Sequence, residues 1–331
     1  MKKVAVIGAG SWGSALALVL ARKGIDINLW CRNQKQRNEI RLTGENKKYL
    51  PGIEFPKNIF LKDSVQETLD GVEAIVMGVP TQSFRDTLDS IKEFITSEMI
   101  LINVAKGIEQ KTLLRLSEVA NQIIPNIRYV VLSGPSHAEE VAKNLPTTVT
   151  MSSKNMEDAE TIQKLFFTDR FRTYTTDDMV AVEVAGAIKN VIALVAGVSD
   201  GLGFGDNSKA AIMTRGLAEM VRLGVALGAE KESFLGLAGV GDLIVTCTSM
   251  HSRNRRCGIA LGKGLSVEEA KKEIGMVVEG LSTAVAIKHL ADKLNVSMPI
   301  VDSASNVING LETSEEAAER LLKREMKNEA V

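Results

Sequence analysis

The feature of the sequence that most constrains its fold is a glycine-rich turn between an apolar run and a helix-forming segment. The apolar run at residues 4–7 is typical of a buried parallel strand, and Gly8-Ala9-Gly10-Ser11-Trp12-Gly13 follows it directly. Helix-forming residues continue over 14–22, and residues 25–30 have the composition of a second strand. The order strand, turn, helix, strand predicts the start of a parallel α/β sheet.

The glycines of this turn each meet a requirement of a bound dinucleotide. Gly8 permits the tight turn, Gly10 lets backbone N–H groups approach a pyrophosphate, and Gly13 lets the helix pack closely on the strand. The N-terminus of the helix then faces the anion. A merely structural turn is the alternative, but the strand and helix that flank the glycines favour a nucleotide site.

The end of the second strand indicates which nicotinamide nucleotide is bound. An acidic side chain that would bind the ribose 2′-hydroxyl is expected about 20 residues after the glycines. It is missing, because this stretch reads Trp30-Cys31-Arg32-Asn33. Arg32 can pair with a 2′-phosphate or stack on adenine, which favours NADPH over NADH. The alternative is that Arg32 is only a solvated loop charge. We therefore predict an NAD(P) cofactor, with NADPH preferred.

Further buried-strand patterns occur along the first half of the chain. They lie at residues 74–79, 99–103, 129–132, 147–151 and 171–175, with helical patterns at 82–95 and 113–123 between them. This alternation predicts an N-terminal, Rossmann-type doubly wound parallel sheet. Beyond residue 176 the pattern is helical, with only 243–246 resembling a β-rich run. We predict a dinucleotide-binding domain over residues 1–188 and a mainly α-helical, substrate-binding domain over 189–331.

Charge and cysteine content limit the possible partners and compartments. The 331 residues carry 40 basic and 41 acidic side chains, so no global field attracts nucleic acid or an anionic membrane. Three cysteines suit a reducing compartment, and no zinc-ligand spacing occurs, so we predict no metal. The N-terminus superficially resembles a signal peptide, but the glycines interrupt its apolar run. A cytoplasmic protein without membrane insertion is expected.

Several motifs, in order along almost the whole chain, resemble those of the bacterial NAD(P)-dependent glycerol-3-phosphate dehydrogenases. After the glycine-rich turn they are Tyr49-Leu50-Pro51-Gly52, Ala105-Lys106-Gly107-Ile108, Ser133-Gly134-Pro135-Ser136-His137-Ala138, Glu183-Val184-Ala185-Gly186-Ala187-Ile188-Lys189-Asn190, Gly241-Asp242-Leu243, Ser252-Arg253-Asn254-Arg255-Arg256 and Val277-Val278-Glu279-Gly280. Many relatives have a second basic residue after the position of Arg32, where this chain has Asn33.

The resemblance implies an activity and a set of site residues. It implies a homodimer that reversibly reduces dihydroxyacetone phosphate to sn-glycerol 3-phosphate, the backbone for phospholipid synthesis. It implies Lys189 as the proton donor and acceptor, with Lys106 as the second catalytic residue. Around the substrate it implies Lys106, Gly134, Ser136, Lys189, Asp242, Ser252, Arg253 and Asn254. Around the cofactor it implies Ser11, Trp12, Arg32, Lys106, Ala138, Arg253, Val277 and Glu279, beside the glycines Gly8, Gly10 and Gly13.

The residue types suit the chemistry of ketone reduction. Hydride addition leaves an alkoxide, so the site needs a proton donor and a nearby cation. Lys189 lies in an apolar helical stretch, and burial together with the charge of Lys106 should disfavour its ammonium form. The alternative is a lysine whose amine reaches solvent. Of the three histidines, His137 and His251 lie inside site motifs and are possible supporting residues, whereas His289 is expected to be structural.

The arginine-rich segment is suited to a phosphate group. Ser252 can cap a helix whose first turn presents Arg253, and a guanidinium can bind phosphate through two hydrogen bonds. The alternatives are a nucleic-acid ligand or a solvated helix face, and the near-zero net charge argues against nucleic acid. Arg255 is expected to point elsewhere and be exposed. Asp242 either binds a substrate hydroxyl or caps the segment that follows it.

Two other functions share parts of this pattern. A reductase acting on a branched hydroxy acid or a sugar acid can have the same architecture. A catalytically silent NAD(P)H-binding sensor is the candidate from a different class, but a sensor has no need for two lysines and an arginine cradle together.

Overall fold

The computed structural model describes residues 1–326 and 328, so the last positions of the predicted helical domain, 327 and 329–331, lie outside the described residues. The chain divides into two compact units: Met1–Ala105 with Leu116–Met179, and Lys106–Arg115 with Val180–Val331. The segment that carries Lys106 therefore belongs to the same unit as Lys189. The domain boundary at residue 188 stays a prediction.

The first unit is built on an eight-stranded sheet with the strand order β3-β2-β1-β4-β5-β6-β7-β8. The strands are β1 (Lys3–Ile7), β2 (Asp26–Trp30), β3 (Ile59–Lys62), β4 (Ala74–Met77), β5 (Ile100–Asn103), β6 (Tyr129–Ser133), β7 (Thr147–Ser152) and β8 (Phe171–Thr176). The helices are α1 (Ser11–Arg22), α2 (Gln34–Thr43), α3 (Val65–Leu69), α4 (Phe84–Ile91), α5 (Leu116–Ile123), α6 (Ala138–Ala142) and α7 (Met156–Phe166), with 3₁₀ turns at Thr81–Ser83 and Lys92–Phe94. The predicted doubly wound sheet is confirmed.

The strand register places the glycine-rich turn at the carboxyl ends of the central parallel strands. Ile7, the last residue of β1, pairs with Trp30 of β2 and with Met77 of β4, so the carboxyl ends of these parallel strands coincide. Gly8 N donates to Trp30 O at 3.0 Å, and Gly78 N donates to Ile7 O at 2.9 Å. Ligands of doubly wound sheets bind at this carboxyl edge.

Two details of the sheet differ from the prediction. Strand β3 was not expected: it is a four-residue edge strand whose Phe60 is exposed, so it lacks the continuous apolar run that marks a buried strand. Strand β7 runs antiparallel to β6, so the sheet is mostly rather than wholly parallel. Strand direction depends on the path of the connecting chain, which apolar periodicity does not report.

The second unit is helical, as predicted. It contains α8 (Met179–Gly201), α9 (Asp206–Ala226), α10 (Asp242–Thr248), α11 (Arg253–Gly262), α12 (Val267–Ile274), α13 (Glu279–Leu294), α14 (Pro299–Ile308) and α15 (Ser314–Leu322), with a 3₁₀ turn at Lys231–Leu235 and a π-helical turn at Leu237–Gly241. The expectation of a β-rich run at 243–246 was wrong, because these residues lie in α10. Its buried residues, Asp242, Leu243, Thr246 and Cys247, have the three- and four-residue spacing of a helix face.

Helix α8 is the central helix of the second unit. It is apolar on all sides, and residues from 181 to 196 contribute much of the hydrophobic core. Its length and apolar composition would allow it to cross a membrane. However, 89% of its apolar 18-residue stretch is buried inside the protein. A core helix has the same length and composition, and its burial removes Lys189 from water.

Candidate active site

Two lysines bind the same buried carboxylate in the second unit. Lys106 Nζ donates to Asp242 Oδ2 at 2.6 Å, and Lys189 Nζ donates to Asp242 Oδ1 at 2.9 Å. Asp242 is 1% exposed and Lys189 is 6% exposed. Lysines 83 positions apart in the chain thus converge on one aspartate, and both carboxylate oxygens are used. We had expected Asp242 to bind a substrate hydroxyl or to cap a helix; it is the first residue of α10, and the N-cap is Gly241.

Thr246 completes this cluster and was not foreseen from the sequence. One turn of α10 separates it from Asp242, so both side chains lie on the same helix face. Lys189 Nζ donates to Thr246 Oγ1 at 2.9 Å, and that hydroxyl donates to the backbone carbonyl of Asp242 at 2.6 Å. The spacing of four residues from Asp242 is the sequence signal that would have identified it. The amine of Lys189 is therefore held by two acceptors.

Burial changes the protonation behaviour of Lys189. Removal from water is the largest influence and lowers the pKa of its amine to about 8; the charge of Lys106 also lowers it, while Asp242 opposes the shift. This confirms the expected effects of burial and of the neighbouring lysine. Burial would raise the pKa of Asp242, but the two adjacent ammonium groups outweigh that effect and the pKa is lowered. Asp242 is thus an anion at neutral pH.

A chain of amide hydrogen bonds supports the backbone next to these lysines. Asn190 Nδ2 donates to Lys106 O at 3.0 Å, Asn254 Nδ2 donates to Asn190 Oδ1 at 2.9 Å, and Gly280 N donates to Asn254 Oδ1 at 2.9 Å. A Cβ at Gly280 would lie 2.7 Å from Asn190 O, so only glycine permits this approach. Asn254, predicted to bind substrate, is buried and uses both ends of its amide within this chain.

The arginine-rich segment begins helix α11. Ser252 is the N-cap, as predicted, and its Oγ accepts from Arg255 N. Arg253 is partly exposed, and its Nη1 donates to Val277 O at 3.0 Å. Val277 is half-exposed, and Glu279 is the first residue of α13. The predicted substrate and cofactor residues of this unit therefore border the amide chain that ends at Gly280.

The expectation that Arg255 is exposed was wrong. Its guanidinium forms an ion pair with Asp200 at 2.7 Å, and its side chain is 13% exposed. Asp200 lies near the end of α8, 55 positions earlier in the chain, so the sequence around Arg255 contains no signal for this pair.

The glycine-rich turn of the first unit has the geometry that a dinucleotide requires. Gly8 has φ +108°, and a Cβ there would lie 2.5 Å from Gly78 O; a Cβ at Gly13 would overlap Gly8 O. A Cβ at Gly10 would meet no atom within 4 Å, so this position is open on the side where an anion can approach. Gly10 is also the N-cap of α1 and provides no side-chain cap for the first N–H groups of the helix. The turn therefore fits a pyrophosphate.

The remaining predicted residues of the first unit occupy defined positions. Ser11 is buried, Trp12 is partly buried, Arg32 is exposed, and Asn33 caps α2 by accepting from Gln36 N. The exposure of Arg32 is compatible with both a 2′-phosphate ligand and a solvated charge. Gly134 has φ +136°, Ser136 Oγ donates to Gly134 O at 2.8 Å, and Ala138 begins α6, whose N-cap is His137. In the described part of the chain, no group of three or more His, Cys, Asp or Glu side chains is placed to hold a metal.

Both halves of the chain match family models. Residues 3–159 match the model described as NAD-dependent glycerol-3-phosphate dehydrogenase N-terminus, and residues 178–319 match the corresponding C-terminus. A curated relative from Clostridium perfringens, named glycerol-3-phosphate dehydrogenase [NAD(P)+], is 50% identical over 331 residues that span 100% of both chains.

Solved structures agree with these matches. The crystal structure of glycerol-3-phosphate dehydrogenase from Coxiella burnetii superimposes with a TM-score of 0.95 at 39% identity, covering 98% of this chain and 99% of that one. The enzyme from Saccharomyces cerevisiae gives a TM-score of 0.82 at 26% identity, covering 97% and 99%. The chain therefore belongs to the NAD-dependent glycerol-3-phosphate dehydrogenase family.

Proposed function

We propose that this protein is an NAD(P)H-dependent glycerol-3-phosphate dehydrogenase that reversibly reduces dihydroxyacetone phosphate to sn-glycerol 3-phosphate, for use in phospholipid synthesis. The observation that supports the reaction most directly is the pair Lys106 and Lys189 on the buried carboxylate of Asp242. The full-length relatives named for this activity support the substrate. A cytoplasmic homodimer belongs to the same proposal.

Lys189 is the proposed proton donor in the direction of reduction. An amine with a pKa of about 8 is largely protonated at pH 7 and still releases its proton readily. The C2 oxygen gains that proton as it becomes a hydroxyl, and the neutral Lys189 is then reprotonated from solvent. In the oxidative direction neutral Lys189 removes the hydroxyl proton.

The neighbours of Lys189 have separate proposed roles. Asp242 and Thr246 hold its amine in one orientation, which avoids reorganisation during proton transfer. Lys106 supplies a second positive charge that stabilises negative charge on the substrate oxygen. With both oxygens of Asp242 engaged by lysines, we assign this residue to positioning them instead of to a substrate hydroxyl.

The cofactor is assigned to the glycine-rich turn of the first unit. Gly8, Gly10 and Gly13 with Ser11 and Trp12 are proposed to bind the dinucleotide. When bound, NAD(P)H supplies the hydride for C2. Arg32, Ala138, Lys106, Arg253, Val277 and Glu279 remain the other predicted cofactor contacts, and Arg32 supports a preference for NADPH.

The phosphate group of the substrate is assigned to the start of α11. Arg253 is partly exposed and uses one nitrogen on Val277 O, which leaves other guanidinium donors for an anion. Ser252 and Asn254 fix the backbone of this helix start. Gly134 and Ser136 stay predicted substrate contacts on the grounds of the family resemblance.

An activity assay and a mass measurement test the proposal. Purified protein is mixed with dihydroxyacetone phosphate and either NADPH or NADH, and loss of nicotinamide absorbance is followed. We expect turnover with both and a lower KM for NADPH. A protein that reduces a branched keto acid but not dihydroxyacetone phosphate would refute the proposal. Light scattering should give twice the chain mass of 35.8 kDa for a homodimer.

A further inference from the structure

A second ion-pair network of the helical unit consists of Asp200, Arg255 and Lys209. Arg255 Nε and Nη2 lie 2.9 Å and 2.7 Å from Asp200 Oδ2, and Lys209 Nζ lies 2.9 Å from Asp200 Oδ1. The side chains of all three are only 13–15% exposed. The network is thus largely shielded from water, unlike the exposed ion pairs that contribute little.

Arg255 joins three helices that carry site residues. It binds α8 through Asp200, and its Nη1 donates at 2.7 Å to the carbonyl of Thr248, the last residue of α10. It belongs itself to the first turn of α11, where its backbone N–H donates to the Ser252 cap. Helix α8 carries Lys189, α10 carries Asp242, and α11 carries Arg253.

Arg255 and Arg253 point to nearly opposite sides of α11. Residues two positions apart in a helix are separated by about 200° around its axis, so these arginines lie on nearly opposite faces. With Arg255 held inward on Asp200, Arg253 is turned to the face where it binds Val277 O. The backbones also touch, because a Cβ at Gly197 of α8 would overlap Arg255 O.

Asp200 is remote from the reacting centre. It follows Lys189 by 11 positions on α8, which corresponds to roughly 16 Å along the axis. We propose that the Asp200–Arg255 ion pair is a positioning device that sets the rotation of α11, and that it thereby holds Arg253 in place for the phosphate group of the substrate. This inference rests on the proposed function.

The inference predicts a selective effect on the phosphorylated substrate. In Arg255→Gln and in Asp200→Asn, the KM for dihydroxyacetone phosphate should rise roughly tenfold, while kcat changes by less than about threefold and the KM for NADPH stays constant. The kcat/KM for dihydroxyacetone, which lacks the phosphate, should stay the same. Arg255→Lys should recover part of the lost affinity. Lysine keeps a positive charge that pairs with Asp200, but it cannot also bind Thr248 O.

Controls separate positioning from general stability. Lys209→Met removes the other cation from Asp200 and should leave the KM for dihydroxyacetone phosphate near the wild-type value. The Asp200→Asn/Arg255→Gln double variant should match Arg255→Gln alone, because Asp200 acts through Arg255. Circular dichroism and the melting temperature establish whether each variant is folded. If Arg255→Gln does not fold, the single variants Arg255→Lys and Asp200→Asn provide the test.

The outcomes are distinguishable. Unchanged KM values in folded single variants, or equal losses for dihydroxyacetone phosphate and dihydroxyacetone, would overturn the positioning role. So would an additive loss in the double variant. A wild-type protein without turnover of dihydroxyacetone phosphate would overturn the proposed function together with this inference.

Discussion

The amine of Lys189 and the carboxylate of Asp242 are 2.9 Å apart, although 53 positions separate them in the chain. Both side chains are at least nine-tenths buried. Buried charges of this kind are costly to desolvate, and such a pair is weak evidence for stability by itself. A pair kept next to a second lysine is better explained by chemistry that needs a proton at a fixed position.

The proton-donor role predicts a large loss in Lys189→Met. We expect kcat to fall by roughly 10²- to 10⁴-fold, because methionine keeps most of the apolar volume but has no proton to give. Cofactor affinity, measured by fluorescence titration with NADPH, should remain close to that of the wild type. Lys288→Met, which alters a lysine paired with Asp292 on α13, is the matched control. Turnover at the wild-type rate in Lys189→Met would remove this residue from its role.

The pKa of Lys189 predicts opposite pH profiles for the two directions. Reduction requires the ammonium form, so its kcat/KM should decline as the pH rises through about 8. Oxidation requires the neutral amine and should accelerate over the same range. Initial rates from pH 6 to 10 in both directions provide the measurement, and parallel profiles would contradict the assignment.

Asp242→Asn should alter both protonation and stability. Loss of the carboxylate removes the negative charge beside Lys189, so the pKa of Lys189 should fall further and the midpoint of the reduction profile should move to lower pH. Breaking a buried ion pair in this way costs about 3–5 kcal/mol of unfolding free energy. Urea titration measures the second effect. A variant with an unshifted profile would show that Asp242 does not set the protonation of Lys189.

The glycine-rich turn offers a test that separates binding from folding. Gly10→Ala adds a methyl group where the protein has no atom within 4 Å, so the melting temperature should persist while the Kd for NADPH rises roughly tenfold or more. Gly13→Ala should lower the melting temperature and also raise the Kd for NADPH, because its Cβ overlaps Gly8 O. Gly205→Ala is the matched control, since Gly205 is also a helix N-cap with open space at its Cβ. Equal NADPH affinity in Gly10→Ala and Gly205→Ala would argue against the assigned pyrophosphate position.

Glu219 predicts a pH dependence of stability away from the active site. Its carboxylate is buried on α9 and accepts from the N–H groups of Ile300 and Val301 at the start of α14. Burial raises its pKa to about 7. The folded protein therefore binds more protons than the unfolded chain between the ordinary pKa of glutamate and about 7, so the contribution of Glu219 to stability decreases as the pH rises through that window.

Glu219→Gln should remove this contribution to the pH dependence. Urea unfolding at pH 5 and pH 8 should show a smaller difference in the variant than in the wild type, with exposed Glu315→Gln as the control. Identical pH dependences for the wild type and Glu219→Gln would contradict the raised pKa.

Local patterns were sufficient for much of this protein. The glycine-rich turn, seven of the eight strands and the Ser252 cap follow from contiguous residues, because turns, strand periodicity and helix caps depend on near neighbours in the chain. The burial of Lys189 was also predictable, since α8 is apolar on every side. The short edge strand β3 was missed because its partly exposed residues lack the continuous apolar run that marks a buried strand.

Long-range contacts could not be predicted from local sequence patterns. Asp242 as the shared partner of Lys106 and Lys189, and Asp200 as the partner of Arg255, join side chains separated by 136, 53 and 55 positions. The partner of a buried charge depends on how helices cross and rotate against one another, and periodicity identifies the buried face of a helix but not what packs on it. The antiparallel direction of β7 depended likewise on the path of the chain between strands. Residue types thus indicated which chemistry was possible, and the packing of the helices determined which of these groups lie together.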